Sequence, residues 1–191
     1  MLDTIAFTYD CDEPEGIVTR TVRPIEFTPD NLIKLYNQIS KFRTFMGKEI
    51  HNLDDMIRFF VSEENGVYKP RGLCMVVDDF VGLFWLSDID GIFEASVHYT
   101  FFDRRHKGRI GLCKKAIEYT FNTFQFHRLT TNVPVTQPDT IKFVKKLGFV
   151  EIGTSRQNRI IRGRYYDTCN FDLLKEEFLN GISSGELQRT D

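Results

Sequence analysis

The stretch "RRHKGRIG", residues 104–111, sets Arg104, Arg105, Lys107 and Arg109 around two glycines, directly ahead of "LCKKAIEYTF", which has the spacing of a helix. The first backbone N–H groups of a helix have no partner inside it, and the aligned peptide dipoles add roughly half a positive charge there. Glycines let that backbone come close to a ligand, so a cationic glycine turn at a helix head suits a phosphate or pyrophosphate. The competing reading is a solvated basic loop. Four cations gathered without an anion repel one another, which favours the ligand. The turn fits neither G-x-x-x-x-G-K-[ST] nor G-x-G-x-x-G, so by itself it names no nucleotide.

A second chemical candidate is "IFEASVHYTFF", residues 92–102, which reads as a strand. Alternation places Glu94, Ser96, His98 and Thr100 on one face and Phe93, Ala95, Val97, Tyr99 and Phe101 on the other. The polar face either meets solvent or a covering helix, or it floors an acceptor groove. In a groove, His98 or Glu94 would act as general base, directly or through water, with Ser96 between them; His98 has the better intrinsic pKa, near 6.5. Cys11, Cys74, Cys113 and Cys169 are scattered, without a C-x-x-C pair or a histidine at zinc spacing, and read as buried reduced thiols with no metal.

The elements that must hold these residues follow from periodicity. With 191 residues, 41% hydrophobic and 27% charged, the chain is expected to form one domain. A net charge of -2 lacks the broad positive surplus of a nucleic-acid binder. No apolar run reaches the roughly 18 residues of a membrane span, and the opening "MLDTIAFTYDCDEPEG" is acidic where a secretory leader is basic, so a cytoplasmic protein is expected. "IVTRTVRPI" (17–25) alternates as a half-buried strand. Thr28 caps and Pro29 opens a helix to about residue 40 with Leu32, Leu35, Tyr36 and Ile39 on one face. A second helix is expected over 53–62 behind Asn52, then a turn-rich link (64–72) and a hairpin over 73–88 turning at Asp78 and Asp79. After the strand 92–102 come a helix to about Phe124, the strand "RLTTNVPV", the helix "PDTIKFVKKL", two strands from Phe149 to about Phe171, and a mobile tail over 180–191. This order predicts an α+β fold, a mostly antiparallel sheet of six to seven strands with a parallel βαβ element and about four flanking helices. In such an element the helix begins at the carboxyl end of a strand, where open sheets bind ligands.

From "VHYTFFDRRHKGRIG" through "FHRLTTNV" to "FVKKLGFVEIG", with "GRYYDTCNF" beyond, the chain resembles the GNAT superfamily of acetyl-CoA-dependent N-acetyltransferases, in particular its ribosomal-protein N-terminal acetyltransferase-like branch. The resemblance spans about residues 17–175 of a single domain. It implies acetyl-CoA as co-substrate, without a metal, and an amine acceptor: a protein or peptide N-terminus, a lysine or a small molecule. The family's R/Q-x-x-G-x-G/A loop falls on Arg105, His106, Lys107, Gly108, Arg109, Ile110 and Gly111, which would hold the pyrophosphate. Backbone near Tyr99, Phe101 and Phe102 would hold the pantetheine arm, and Gln137 and Thr140 take the places of the family's Asn-x-x-Ser. Ile110 stands where Gly or Ala is usual, and Val144 where a tyrosine often protonates the leaving thiolate. These departures define the alternative, a catalytically silent module of the same fold used in assembly. The segment 40–52 is the expected acceptor-specificity loop, with Phe42, Phe45, Met46, Phe59 and Phe60 in the core or lining the acceptor cleft. A monomer or homodimer is expected.

Overall fold

The computed structural model describes residues 6–13, 16–42, 45, 50–65, 67–103 and 107–184. In chain order the elements are β1 (Phe7–Glu13), β2 (Gly16–Pro24), α1 (Pro29–Ile39), α2 (Leu53–Phe60), β3 (Val61–Glu64), β4 (Val67–Pro70), β5 (Leu73–Val77) and β6 (Gly82–Asp90). They continue with β7 (Glu94–Phe101), α3 (Arg109–Phe124), β8 (Arg128–Pro134), α4 (Pro138–Lys146), β9 (Val150–Ile161), β10 (Arg164–Leu174) and α5 (Lys175–Ser184). Eight strands form one sheet in the order β1-β2-β5-β6-β7-β8-β10-β9, and β3 and β4 make a separate hairpin. Only β7 and β8 run parallel, joined by the α3 crossover; the other neighbours are antiparallel.

The helices form where the sequence supplies their ends. Thr28 accepts from the Asn31 N–H at 3.3 Å with Pro29 in the first turn, and Asn52 accepts from the Asp55 N–H at 2.9 Å. The apolar stripes then choose faces of the sheet. Leu35 and Ile39 of α1 and Met56 and Phe60 of α2 pack with Val76, Leu83 and Trp85. Leu112, Ile117 and Phe121 of α3 pack with Val144, Phe171 and Phe178 on the opposite face. The alternation in β7 therefore sends Ala95, Val97, Tyr99 and Phe101 towards α3 and His98 towards α1 and α2.

The structure refines the expected elements. The acidic N-terminal stretch forms an edge strand, β1, whose seven residues pair along β2. Residues 61–70 form a hairpin instead of extending α2 and a link, and Arg71 ties it down by donating from its backbone to Phe60 O at 2.8 Å and from Nε to Arg58 O at 3.1 Å. The expected mixed α+β fold with its mostly antiparallel sheet is present, and among the described residues it has eight strands in the main sheet and five helices. A helix, α5, occupies part of the expected tail because Phe178, fully buried against Phe121, anchors it; residues 185–191 lie outside the described residues.

Candidate active site

The parallel pair β7–β8 opens a wedge in the sheet. Its register runs Glu94↔Arg128, Ala95↔Leu129, Ser96↔Thr130 and stops, although β7 continues to Phe101 and β8 to Pro134. The Ser96 and Thr130 hydroxyls, 3.1 Å apart, close the last rung. On its other side β7 stays paired with β6 as far as Phe101, and the Phe102 N–H donates to Val81 O at 2.9 Å. Antiparallel bonding alternates, so His98 and Thr100 also turn their backbone groups to β6, while Tyr99 and Phe101 turn theirs into the wedge. Phe102 is thus removed from the expected pantetheine donors, and it packs against Phe42 with ring centroids 5.9 Å apart.

A cleft of about 1410 Å³ passes through this opening. Its α3–α4 end is bordered by Arg109, Gln137, Thr140, Phe143 and Val144, and its other end by Phe42, Phe45, Arg58, Phe59, Arg71 and Trp85. At the head of α3, Gly108 is the N-cap in the left-handed region, φ 67° and ψ 13°, with no side-chain cap and no acidic residue in the first turn. That leaves a helix start prepared for an anion. A Cβ on Gly108 would lie 2.9 Å from Cys11 Cβ, and one on Gly111 only 1.8 Å from the Tyr9 hydroxyl oxygen. Gly111 therefore makes room for β1, a packing reason invisible until the edge strand is placed. Ile110 packs into the α3 core. Lys107 is exposed, and Arg109 holds its guanidinium 5.9 Å from the centre of the Phe101 ring. Arg105 and His106, and Met46 of the acceptor loop, lie outside the described residues.

On α4, Gln137 is the N-cap residue without a side-chain cap bond, and Thr140 donates to its Oε1 at 3.4 Å; both are exposed on the cleft. Val144 is buried there, 5% exposed.

The polar face of β7 divides. Glu94 is drawn out of the candidate base role: its carboxylate pairs with Arg128, which also approaches Asp172 at 3.7 Å, below the wedge and away from the cleft lining. Ser96 holds the fork and does not line the cleft. His98 does line it, tilted against Trp85 with ring centroids 5.1 Å apart. Its Nε2 lies 3.0 Å from Ser87 Oγ, and Ser87 donates to Asp88 Oδ2 at 2.9 Å. With that serine proton committed, Ser87 accepts from His98 Nε2–H, leaving Nδ1 as the nitrogen with the free lone pair. Burial pushes the imidazole down to about 4; Asp88 opposes this and Arg159 adds to it. The Ser87–Asp88 pair escaped sequence reasoning. Its signal was the polar "SD" ending an apolar run, but only the cross-strand register sets it beside His98. Asp88 sits at φ 48° in the irregular stretch between Ser87 and Asp90, a conformation that Asp tolerates better than most residues.

Tyr99 presents no accessible acid: burial raises its hydroxyl well above 10, with Cys113 adding, and the group has no hydrogen-bond partner among the described residues.

The acetyltransferase (GNAT) domain family matches residues 34–169. The chain belongs to the GNAT acetyltransferases. A spermidine N(1)-acetyltransferase of Vibrio cholerae is 25% identical to this acetyltransferase over 148 residues, 76% of this chain and 78% of that protein. Of the solved structures, the Vibrio cholerae spermidine N-acetyltransferase in complex with CoA and spermine matches with TM-score 0.68 at 23% identity, over 84% of this chain and 98% of that one. Mutant forms of the spermidine/spermine N-acetyltransferase SpeG from the same organism give TM-score 0.68 at 21% identity, over 85% and 98%. At such identities the structures show a shared fold. The superfamily is the one that the residues implied; these relatives are spermidine acetyltransferases and do not single out the ribosomal-protein branch. No helix among the described residues is long and apolar enough to cross a membrane.

Proposed function

We propose that this acetyltransferase moves the acetyl group of acetyl-CoA to a primary amine, with the thioester arm in the β7–β8 wedge and the amine arriving from the α1–α2 side against His98. The observation that carries the reading is the interruption of β7–β8 pairing after Ser96 and Thr130, beside a helix head left without a cap by Gly108. The donor set suits the arm. The backbone N–H groups opening α3, with Lys107 and Arg109, would take the pyrophosphate, the wedge-facing backbone of Tyr99 and Phe101 the pantetheine amides, and Gln137 and Thr140 the arm where it passes α4.

Bound acetyl-CoA supplies an activated thioester whose carbonyl carbon the amine nitrogen attacks. The chain's residues align that encounter and manage one proton. An α-amine titrates near 8 and a lysine-like amine near 10.4. An imidazole held at about 4 is neutral at physiological pH but too weak to strip either ammonium. His98 therefore selects the amine already deprotonated by solvent, accepting its N–H at Nδ1. It takes the proton once C–N bond formation makes that nitrogen acidic. Ser87 and Asp88 hold the ring in the required tautomer. Val144, in the usual tyrosine place, donates nothing, so the thiol, with a pKa near that of cysteine at about 8.5, leaves as thiolate.

The relatives' named acceptor, spermidine, and the peptide N-terminus suggested by the ribosomal-protein resemblance are both offered as test amines. The decisive measurement is free-thiol release from acetyl-CoA with spermidine, lysine peptides and peptides with free N-termini, beside calorimetric binding of acetyl-CoA. Binding with amine-dependent thiol release is expected; no binding would overturn the proposal and favour the silent module.

A further inference from the structure

Among the described residues, the acceptor end of the cleft is lined by aromatic rings and by arginines. Its inner wall is aromatic, with Phe59 centred 4.9 Å from Trp85 and Trp85 5.1 Å from His98. The Trp85 Nε1–H is buried without an acceptor among the described residues. Gly72 backs onto that ring so closely that a Cβ there would lie 2.9 Å from Nε1. Arg58 and Arg71, next in sequence to Phe59 and Gly72, both line the cleft. Arg71 is fixed there by Nε donation to Arg58 O at 3.1 Å and Val61 O at 3.3 Å, which leaves its terminal nitrogens available. Neither arginine has an ion-pair partner among the described residues.

Of the described carboxylates at this end of the lining, Glu64 pairs with Lys69 at 3.2 Å, and Asp88 accepts from Ser87 at 2.9 Å beside His98. Arg159, which donates to Asn132, adds a further positive charge to the wall. An incoming molecule thus meets two arginines that have no ion-pair partner among the described residues, with Asp88 beside His98 on the same lining.

We propose that the acceptor is a small amine carrying an anionic group, a carboxylate, on the same molecule, and that it is preferred over polyamines. The inference rests on the acetyl-transfer reading and names the substrate class of that site. A carboxylate gains forked hydrogen bonds from the guanidinium groups of Arg58 and Arg71, whereas a second ammonium placed there meets like charge. The same arginines favour the neutral form of the reacting amine, because nearby positive charge disfavours an ammonium. That supplies the deprotonated nucleophile which the weakly basic His98 cannot generate.

The test compares amines of equal length that differ only in the far group: ε-aminocaproate against hexamethylenediamine, and γ-aminobutyrate against putrescine, with spermidine alongside, by thiol release from acetyl-CoA. We expect kcat/KM about ten-fold or more higher for each amino acid, in line with a hydrogen bond to a charged group. Arg58→Gln, whose side chain anchors nothing in the fold, should erase most of that preference, and Arg58→Glu should reverse it. Equal use of the two series, or preference for the diamines or spermidine, overturns this inference and leaves acetyl transfer standing. Loss of acetyl-CoA binding, or no thiol release with any amine, overturns the acetyl-transfer reading and this inference with it.

Discussion

Replacing His98 by glutamine tests both the burial of the imidazole and its part in the reaction. Native His98 is held at about 4, against about 6.5 in an unfolded chain. Its neutral form is therefore the one the fold prefers. The associated stability is complete above about pH 6.5 and is lost as pH falls towards 4. With those two values, lowering the pH from 7.5 to 4.5 removes on the order of 2 to 3 kcal/mol through this residue. Carboxylates titrate over part of the same interval, but they do so in the variant as well. The difference between the two proteins' pH slopes isolates the histidine. Urea unfolding across that range should show the wild type losing on the order of 2 to 3 kcal/mol more than His98→Gln. At pH 7.5 the variant should also lose about 100-fold in kcat/KM while binding acetyl-CoA normally, since the amide can accept a hydrogen bond but cannot carry the proton away. Identical pH slopes would refute the burial argument. Unchanged turnover would remove His98 from the reaction.

Gly108→Glu puts a side chain and a negative charge at the left-handed cap of α3, against Cys11; calorimetry should show acetyl-CoA affinity reduced about 100-fold or more, whereas exposed Lys107→Ala costs about three-fold. Glu94→Gln should leave kcat/KM within about three-fold, because the carboxylate serves the Arg128 pair, and should lower stability by about 1 kcal/mol in urea titration. A large fall in turnover would restore Glu94 to the site. Gly72→Ala forces a Cβ to within 1.8 Å of Leu86 O, so the strands must part, and a loss of about 3 kcal/mol is expected in thermal or urea unfolding. With no tyrosine at position 144, the rate of thiol release should not fall between about pH 7.5 and 9, where amine deprotonation still helps; a clear fall in folded protein would point to another general acid.

The departures from the family pattern at Ile110 and Val144 each have a concrete place in the fold. Ile110 occupies a loop position that faces the α3 core, so its bulk is absorbed by packing. Val144 lines the cleft with a methyl surface. Neither substitution blocks the cleft.

Local chemistry was readable in the chain itself. Thr28, Pro29 and Asn52 announce helix starts because capping needs only neighbours a few residues away, and the glycine turn at 108 announces a helix head, which the structure shows without a side-chain cap. The strand–helix–strand run from residue 94 to 134 likewise implied a parallel pair, since a crossover of that length has one favoured hand and place. What the sequence left open depends on partners distant along the chain. Glu94 and His98 share a strand face and looked equivalent. Arg128, 34 residues away, neutralises the first, whereas Trp85 and Ser87, brought alongside by the β6–β7 register, bury and orient the second. Gly111 looked like part of a phosphate cradle until β1, an acidic strand without a strong apolar pattern, set Tyr9 against it. Spacing along a chain fixes which side chains share a face, but a charge or a void is defined by what folds against that face, and only the assembled sheet supplies it.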